Sequence, residues 1–359
     1  FNRFDAHLTL MRWLLPMSLH IPAVFEHITL DPDALAFAVA KNANIGAHYD
    51  WRTTYPVLAQ LDKMNMRRTA TIFPDDCPNN AHDAYVLEQI GLPIDTGVSL
   101  MQAVAHHIPA AIKDLADKTF AQWFSLSPVH WRAGRDHVNL VALNDGDISI
   151  EEAKVLLASI APKLAELGWH IHVASANTWY IRTMDHFDYH APSLQLAQSD
   201  QLESFLPHGR DLKRWQTLLT EIQMMWFEHP INQARAKRNQ TAINSLWLYG
   251  GINARAMNSE KLLQFNALTT LIRRPNQHEI NDIHAHLAWL NLQLSTVIDA
   301  IKDDGQAIMT FLGETWQQDV FITQPSWTEN MKGKFSSSKK KPLQWLEQPT
   351  FDFLAQKTP

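Results

Sequence analysis

EIQMMWFEHPINQARAKRNQTAINSLWLYGG, residues 221–251, decides how the rest of the chain is read. It places the end of an amphipathic helix, a second helix, a polar turn and an aromatic strand in immediate succession. His229-Pro230 stops the first helix and starts the next, because proline suits the first helical position, whose N–H lacks an intrahelical partner anyway. Asn232 and Arg235 are three apart and share a face, with Asn239 one turn further on. Beyond Thr241 and Ala242, NSLWLY predicts a strand. Ser245, Trp247 and Tyr249 point one way along it, Leu246 and Leu248 the other. Bulk on both faces predicts an interior strand with its leucines on the core. Gly250 and Gly251 fall at its expected C-terminal end, where open α/β sheets tend to place ligands. A backbone bare of side chains there admits close approach of a ligand or of another segment.

These residues support two readings. In the structural one the tryptophans fill core, Asn244 satisfies a turn, and Arg235 pairs with Glu228 or Glu221. In the functional one His229, Asn232, Arg235, Asn244, Trp247, Gly250 and Gly251 line a cleft, with Arg132 or Arg135 adding positive charge. Arg235 then holds an anionic group through paired hydrogen bonds.

Upstream, ALAFAVA (34–40) after Asp31-Pro32, TYPVLAQLDKM (54–64), AHDAYVLEQIG (81–91) and PAAIKDLADK (109–118) predict short helices joined by polar or proline turns. From residue 120 the pattern changes. FAQWFSL (120–126), HVNLVAL (137–143), WHIHV (169–173) and TWYIR (178–182) predict strands, with Asn144-Asp145-Gly146-Asp147 as a turn. Ser149 and Glu152 form a capping box for EEAKVLLASIAPKLAELG, closed at Gly168. A long helix follows from Asp211, and after the opening segment come SEKLLQFNALTTLIRR (259–274), a break at Pro275, HEINDIHAHLAWLNLQLSTVIDAIKDD (278–304) and a pair of strands, AIMTFLG and DVFIT. KGKFSSSKKK (332–341) reads as a solvated basic loop.

The expected fold is therefore α/β or α+β: a mixed sheet flanked by helices, with a mainly helical N-terminal lobe and helical C-terminal additions. The expected division is 1–115 for the helical lobe, 116–330 for the α/β domain and 331–359 for the basic loop and tail.

Composition limits the function. The 359 residues are 46% hydrophobic and 19% charged, which is globular rather than disordered. Thirty-seven acidic against 31 basic residues give a net charge of -6, with no general attraction to nucleic acid. The single cysteine, Cys77, excludes an intramolecular disulfide and a thiolate metal cluster, and suits a reducing, cytoplasmic setting. LTLMRWLLPMSLHIPAVF (8–25) is broken by Arg12, Pro16 and His20, so neither a membrane helix nor a signal peptide is expected.

The common nucleotide and hydrolase signatures, GxxxxGK, GxGxxG, GxSxG and HExxH, are absent from the sequence. His170 and His172 alternate on one strand face, and Asp185, His186, Asp188 and His190 crowd the next loop. Such residues can bind metal, but their spacing matches no named site, and loops favour Asp and His for turn geometry. Asp282 and His286 read as a surface pair on a helix.

HPINQARAKRNQTAINSLWLYGG resembles the H-P-V-N-x-x-R and N-S-x-W-x-W-G-G-G pattern of the RpfE-type bacterial regulatory proteins. That family is in turn similar to part of the archaeal-type cofactor-independent phosphoglycerate mutases. SPVHWRAGRDHVNLVAL (127–143), TWYIR and LPHGRDLKRWQTLLTEIQM (206–224) resemble its other segments in the same order, so the resemblance covers residues 120–251 best. Two departures stand out: Ile252 replaces the third glycine, and the mutases' N-terminal Asp-Gly-x-x-Asp metal motif has no counterpart. Asp136-His137 and Asp185-His186 lack its partners, and phosphoryl transfer by that route lacks its electrophile. The resemblance thus implies a regulatory or ligand-binding protein without catalysis or cofactor, binding a small acidic or phosphorylated metabolite. The alternative it implies is a divalent-metal-dependent, mutase-like phosphotransfer enzyme. No nucleic-acid or membrane partner is expected.

Overall fold

The computed structural model describes residues 23–26, 50–74, 76–133, 138–144, 146–198, 206–275, 282–313, 315–325, 343 and 346. Arg135, the Asp136-His137 pair, the ALAFAVA helix, His278, Glu279 and the basic 332–341 stretch lie outside them, as does most of residues 8–25. In chain order the elements are β1 (Ala23–Glu26), α1 (Trp51–Thr54), α2 (Pro56–Leu61), β2 (Asn65–Ile72), α3 (Ala81–Gln89), α4 (Ser99–Ala105), α5 (Pro109–Asp117), β3 (Gln122–Ala133) and β4 (Val138–Ala142). Then follow α6 (Ile150–Glu166), β5 (His170–Val173), β6 (Trp179–Thr183), α7 (Leu194–Ala197), α8 (Leu212–Phe227), α9 (Pro230–Lys237) and β7 (Ser245–Asn253). The last are α10 (Ser259–Leu271), β8 (Ile272–Arg273), α11 (Ile283–Gln293), α12 (Ser295–Asp304), β9 (Gln306–Leu312) and β10 (Trp316–Thr323). The class is the expected mixed α/β, with two sheets rather than one.

Two units divide the chain: Phe1–Phe73 with Ala267–Pro359, and Pro74–Asn266. The helices expected at 54–64, 81–91 and 109–118 are present, and among the described residues of that region β1, α1, β2 and α4 were not foreseen.

The discontinuous unit carries a sheet in the order β2-β10-β9-β1-β8. β1 runs parallel to both β8 and β9, whereas β10 is antiparallel to β9 and β2. Alternation along β10 buries Trp316, Gln318, Val320 and Ile322. These pack with Phe25, Leu58, Leu287, Leu290, Val297 and Phe311. Burying one such aliphatic or aromatic side chain contributes about 1.5–3 kcal/mol. Gln318 is the exception in this core: it is 1% exposed and neither amide atom has a hydrogen-bond partner among the described residues. Asp282, expected as half of a surface pair, caps α11 by accepting from the His284 N–H, and His286 is buried.

In the continuous unit β3 organises an antiparallel sheet. β7 lies along Gln122–Val129, while β6 pairs Gln122–Leu126, β4 pairs Val129–Ala133 and β5 extends beyond β6. Phe124, Leu126, Leu246 and Leu248 face a core completed by Leu156 and Ile160 of α6 and by Trp215, Ile222 and Trp226 of α8. The leucines of β7 do meet the core, but the strand is not interior: among the described strands it pairs only with β3. Its breadth of burial comes from helices. Ser149 and Glu152 form the expected capping box at the start of α6.

Candidate functional site

Each residue of the 221–251 segment can be traced to its partners. Arg235, on α9, is 1% exposed. Its Nε donates to the Thr241 carbonyl at 2.8 Å, and its Nη1 donates to Glu152 Oε2 at 2.9 Å. Arg238 donates to the other oxygen, Oε1, at 2.6 Å. Glu152 is thus both the reciprocal arm of the α6 cap and the acceptor for two arginines. It takes the place of Glu228 or Glu221 as the partner of Arg235, and the guanidinium faces a carboxylate rather than an open cleft.

Asn232 is buried, and its Nδ2 donates to the Trp226 and Ile243 carbonyls, both at 2.8 Å, while its Oδ1 accepts from the Ile243 N–H at 2.8 Å. His229 caps α9, its Nδ1 accepting from the Ile231 N–H at 3.2 Å, and burial holds its pKa below the ordinary imidazole value. Asn244 continues the ladder where β7 stops. Its Oδ1 accepts from the Trp131 N–H at 2.8 Å and its Nδ2 donates to the Trp131 carbonyl at 3.0 Å, so one carboxamide imitates a strand residue. Trp247 donates from Nε1 to the Pro192 carbonyl at 2.9 Å. Arg132 is exposed.

Gly250 and Gly251 lie inside β7 rather than at its end. There the register slips, Trp123 facing Ile252 and Ser125 facing Tyr249, so that both glycines oppose Phe124. This is a bulge, with Gly250 in the left-handed region at φ +68°. A Cβ on Gly251 would meet the Phe124 ring at 2.3 Å, and one on Gly97 would meet the Gly251 carbonyl oxygen at 2.2 Å. The glycines therefore admit another segment, the turn before α4.

Two members of the histidine and aspartate clusters, Asp188 and His172, have other contacts. Asp188 accepts from Arg210 Nε at 2.7 Å and from the Arg210 N–H, which lowers its carboxyl to about 2. His172 stacks on Trp123 with centroids 5.3 Å apart, and burial with the nearby Arg182 charge lowers its pKa. Among the described residues no group of three or more His, Cys, Asp or Glu could hold a metal ion. Burial raises the Cys77 thiol, which opposes a nucleophilic thiolate.

What the sequence did not single out is a polar cavity of about 240 Å³ within the continuous unit. Asn80 and Asp83 reach it from the start of α3, Gln102 from α4, Ser193, Leu194, Gln195 and Gln198 from α7 and its cap, and Tyr249 from β7. Behind the wall lies a hydroxyl network. Ser99 and Ser125 share a 2.8 Å hydrogen bond, Ser125 donates to Gln102 Oε1 at 3.3 Å, and the Tyr249 phenol bonds Ser127 and Ser125. Burial raises the Tyr249 pKa, and the negative charge of Asp83 adds to that. Asp83 is itself buried, with Oδ1 4.0 Å from His82 Nε2. Ser193 is 6% exposed, and its hydroxyl has no hydrogen-bond partner among the described residues, although the residue occupies the cap position of α7. Local spacing could not have revealed this site, because its wall is drawn from four segments between residues 80 and 249. The one local sign was Tyr249, placed beside the glycines.

No family model matches the chain, and no curated protein matches it in sequence. Two solved structures show weak similarity. The PH0037 protein from Pyrococcus horikoshii has a TM-score of 0.38 at 10% identity, over 75% of this chain and 80% of that one. A cofactor-independent phosphoglycerate mutase from Thermoplasma acidophilum has a TM-score of 0.32 at 10% identity, over 84% of this chain and 90% of that one. No helix among the described residues is long and apolar enough to cross a membrane.

Proposed function

We propose that the chain is a regulatory or ligand-binding protein, without catalysis of its own, whose small-molecule ligand occupies the cavity walled by Asn80, Asp83, Gln102, Ser193, Gln195 and Tyr249. The observation that carries this reading is the Ser193 hydroxyl, buried against the cavity with no hydrogen-bond partner among the described residues. A buried unsatisfied polar group costs about 1–3 kcal/mol, and a ligand that pairs with it recovers that cost. The wall contains no arginine, lysine or histidine. It therefore offers no cation to steady a transferring phosphoryl group and no imidazole or amine to activate a nucleophile. The acidic metabolite suggested by Arg235 finds no counter-charge there either, since that guanidinium is held on Glu152.

The test is thermal unfolding of the full chain against a library of small metabolites, repeated with Gln195→Trp to fill the cavity. A ligand at 100 times its Kd stabilises by about 2.7 kcal/mol, a readily measured shift. The expected result is a stabilising compound whose effect disappears in the variant. A compound that stabilises both proteins equally would place binding elsewhere and defeat the proposal.

A further inference from the structure

We propose that the outer edge of β2 docks an acidic polypeptide segment as an added strand. Every residue of β2 faces one of β10, from Asn65 opposite Thr323 to Ile72 opposite Trp316, and among the described strands β2 pairs with no other. Two hydrogen bonds at the end of this ladder show which way its backbone groups point. The Phe73 N–H donates to the Thr315 carbonyl at 2.8 Å, and the Gly313 N–H donates to the Trp316 carbonyl at 2.9 Å. Residue 73 is thereby turned toward β10, and residue 316 toward β9. Alternation then directs the N–H and C=O groups of residues 65, 67, 69 and 71 at β10, and those of residues 66, 68, 70 and 72 away from the sheet. Ala70 sits within the exposed run 67–71, with its outward groups open to a further strand.

Proteins protect such edges with proline, a bulge, a covering segment or charge. β2 contains neither proline nor glycine, and its register with β10 is unbroken. Charge is the protection it has, and that charge has one sign. Lys63, Arg67 and Arg68 fall between residues 63 and 74, where the sequence has no acidic residue. Arg67 lies over the ring of its cross-strand partner Phe321, with the guanidinium carbon 4.7 Å from the centroid, and it makes no ion pair among the described residues. Asp319 shares that face of β10, two residues from Phe321, but its carboxylate accepts from Thr310 at 2.7 Å and from Gln317 at 3.1 Å.

This combination selects the occupant. Like charges directly opposed across two strands are destabilising and opposite charges are favourable. A second copy of β2 laid along the first would line up both arginines of each chain with no carboxylate between them. A basic strand meets the same repulsion. An extended acidic segment gains the backbone hydrogen bonds of strand addition, and its carboxylates reach a guanidinium already held in place by an aromatic ring.

The experiment titrates the full chain into a fluorescent eight-residue peptide of alternating glutamate and valine, with alternating lysine and valine as the control, and reads anisotropy. Saturable binding of the glutamate peptide is expected, about tenfold tighter than the lysine peptide and weakened about tenfold by Ala70→Pro. That substitution removes an outward N–H, keeps the net charge and the bonds to β10, and falls where edge strands tolerate proline. If Ala70→Pro lowers the urea midpoint, Arg67→Gln at its exposed position decides instead: it should weaken the glutamate peptide severalfold and leave the midpoint unchanged. Equal binding of the two peptides overturns the proposal, as does binding that ignores Ala70→Pro in a stable variant or Arg67→Gln in its place. Silence of both peptides overturns it too, and leaves the arginines as protection alone. A dimer in sedimentation that Ala70→Pro dissolves gives the edge to a second copy and overturns the acidic partner.

Discussion

Glu152 Oε2 and Arg235 Nη1 meet at 2.9 Å across 83 residues of chain, joining the first turn of α6 to the last turn of α9. The guanidinium is 1% exposed. Deleting Glu152 strands the buried Arg235 guanidinium, which typically costs about 3–5 kcal/mol, whereas deleting Arg235 leaves Glu152 paired with Arg238 and removes a buried side chain with its bond to the Thr241 carbonyl. Glu152→Ala should therefore lower the unfolding free energy in urea by about 3–5 kcal/mol and Arg235→Ala by less, and a double-mutant cycle should show coupling. Arg235→Ala within about 0.5 kcal/mol of the parent would contradict the structural role given to it here.

Crowding at the β7 bulge gives a second expectation. Gly251→Ala must push a methyl group into the Phe124 ring, and Gly97→Ala must push one into the Gly251 carbonyl. Backbone cannot yield as a flexible side chain does, so both substitutions should destabilise by about 1–3 kcal/mol or more, with Gly97→Ala the worse. Chemical denaturation of the pair, ranked the other way round, would show that the turn before α4 shifts freely.

Gln318 should behave in the opposite sense. Its carboxamide is buried in the sheet of the discontinuous unit with neither polar atom paired among the described residues. Gln318→Leu keeps the size, removes the unsatisfied groups and should raise stability by about 1–3 kcal/mol in urea unfolding. A loss of stability would mean that the amide has a partner after all.

His172 makes stability depend on pH. Burial, reinforced by Arg182, holds its pKa below the ordinary value, so the unfolded chain takes up a proton at a pH where the folded chain does not. Stability is therefore complete above about pH 6.5 and falls as the pH drops from there toward the lowered folded value. His106 and His229, also lowered by burial, act in the same direction. The urea midpoint should fall between pH 7.5 and pH 5, and His172→Phe, which keeps an aromatic ring against Trp123, should reduce that fall. An unchanged slope in the variant would assign the effect to the other histidines.

Much of the fold was legible because its signals are local. The Ser149–Glu152 box, the Pro230 start and the alternation through Leu246 and Leu248 each follow from a few adjacent residues, and each is present. The short β2 was missed because NMRRTATI carries no apolar alternation: as an edge strand it keeps residues 67–71 exposed. The partner of Arg235 was missed because the segment offers two nearer glutamates, and sequence distance does not rank candidates that folding brings together. Asn244 was read as satisfying a turn, and what it satisfies is the backbone of Trp131, 113 residues away. The cavity was invisible for the same reason, its carboxamides being unremarkable surface-type residues until α3, α4, α7 and β7 converge.

The position of β1 has a consequence for how the protein is made. This strand sits between β8 and β9, whose residues leave the ribosome 248 and 286 positions after it, by the registers Val24–Ile272 and Val24–Thr310. Domains generally fold as units during synthesis, and long-range parallel pairing is slow because a large loop must first close. The continuous unit, Pro74–Asn266, is complete while β1 still waits for its neighbours. Synthesis thus orders assembly, and a chain halted once the continuous unit has emerged would carry that unit folded and an N-terminal strand with no sheet to join.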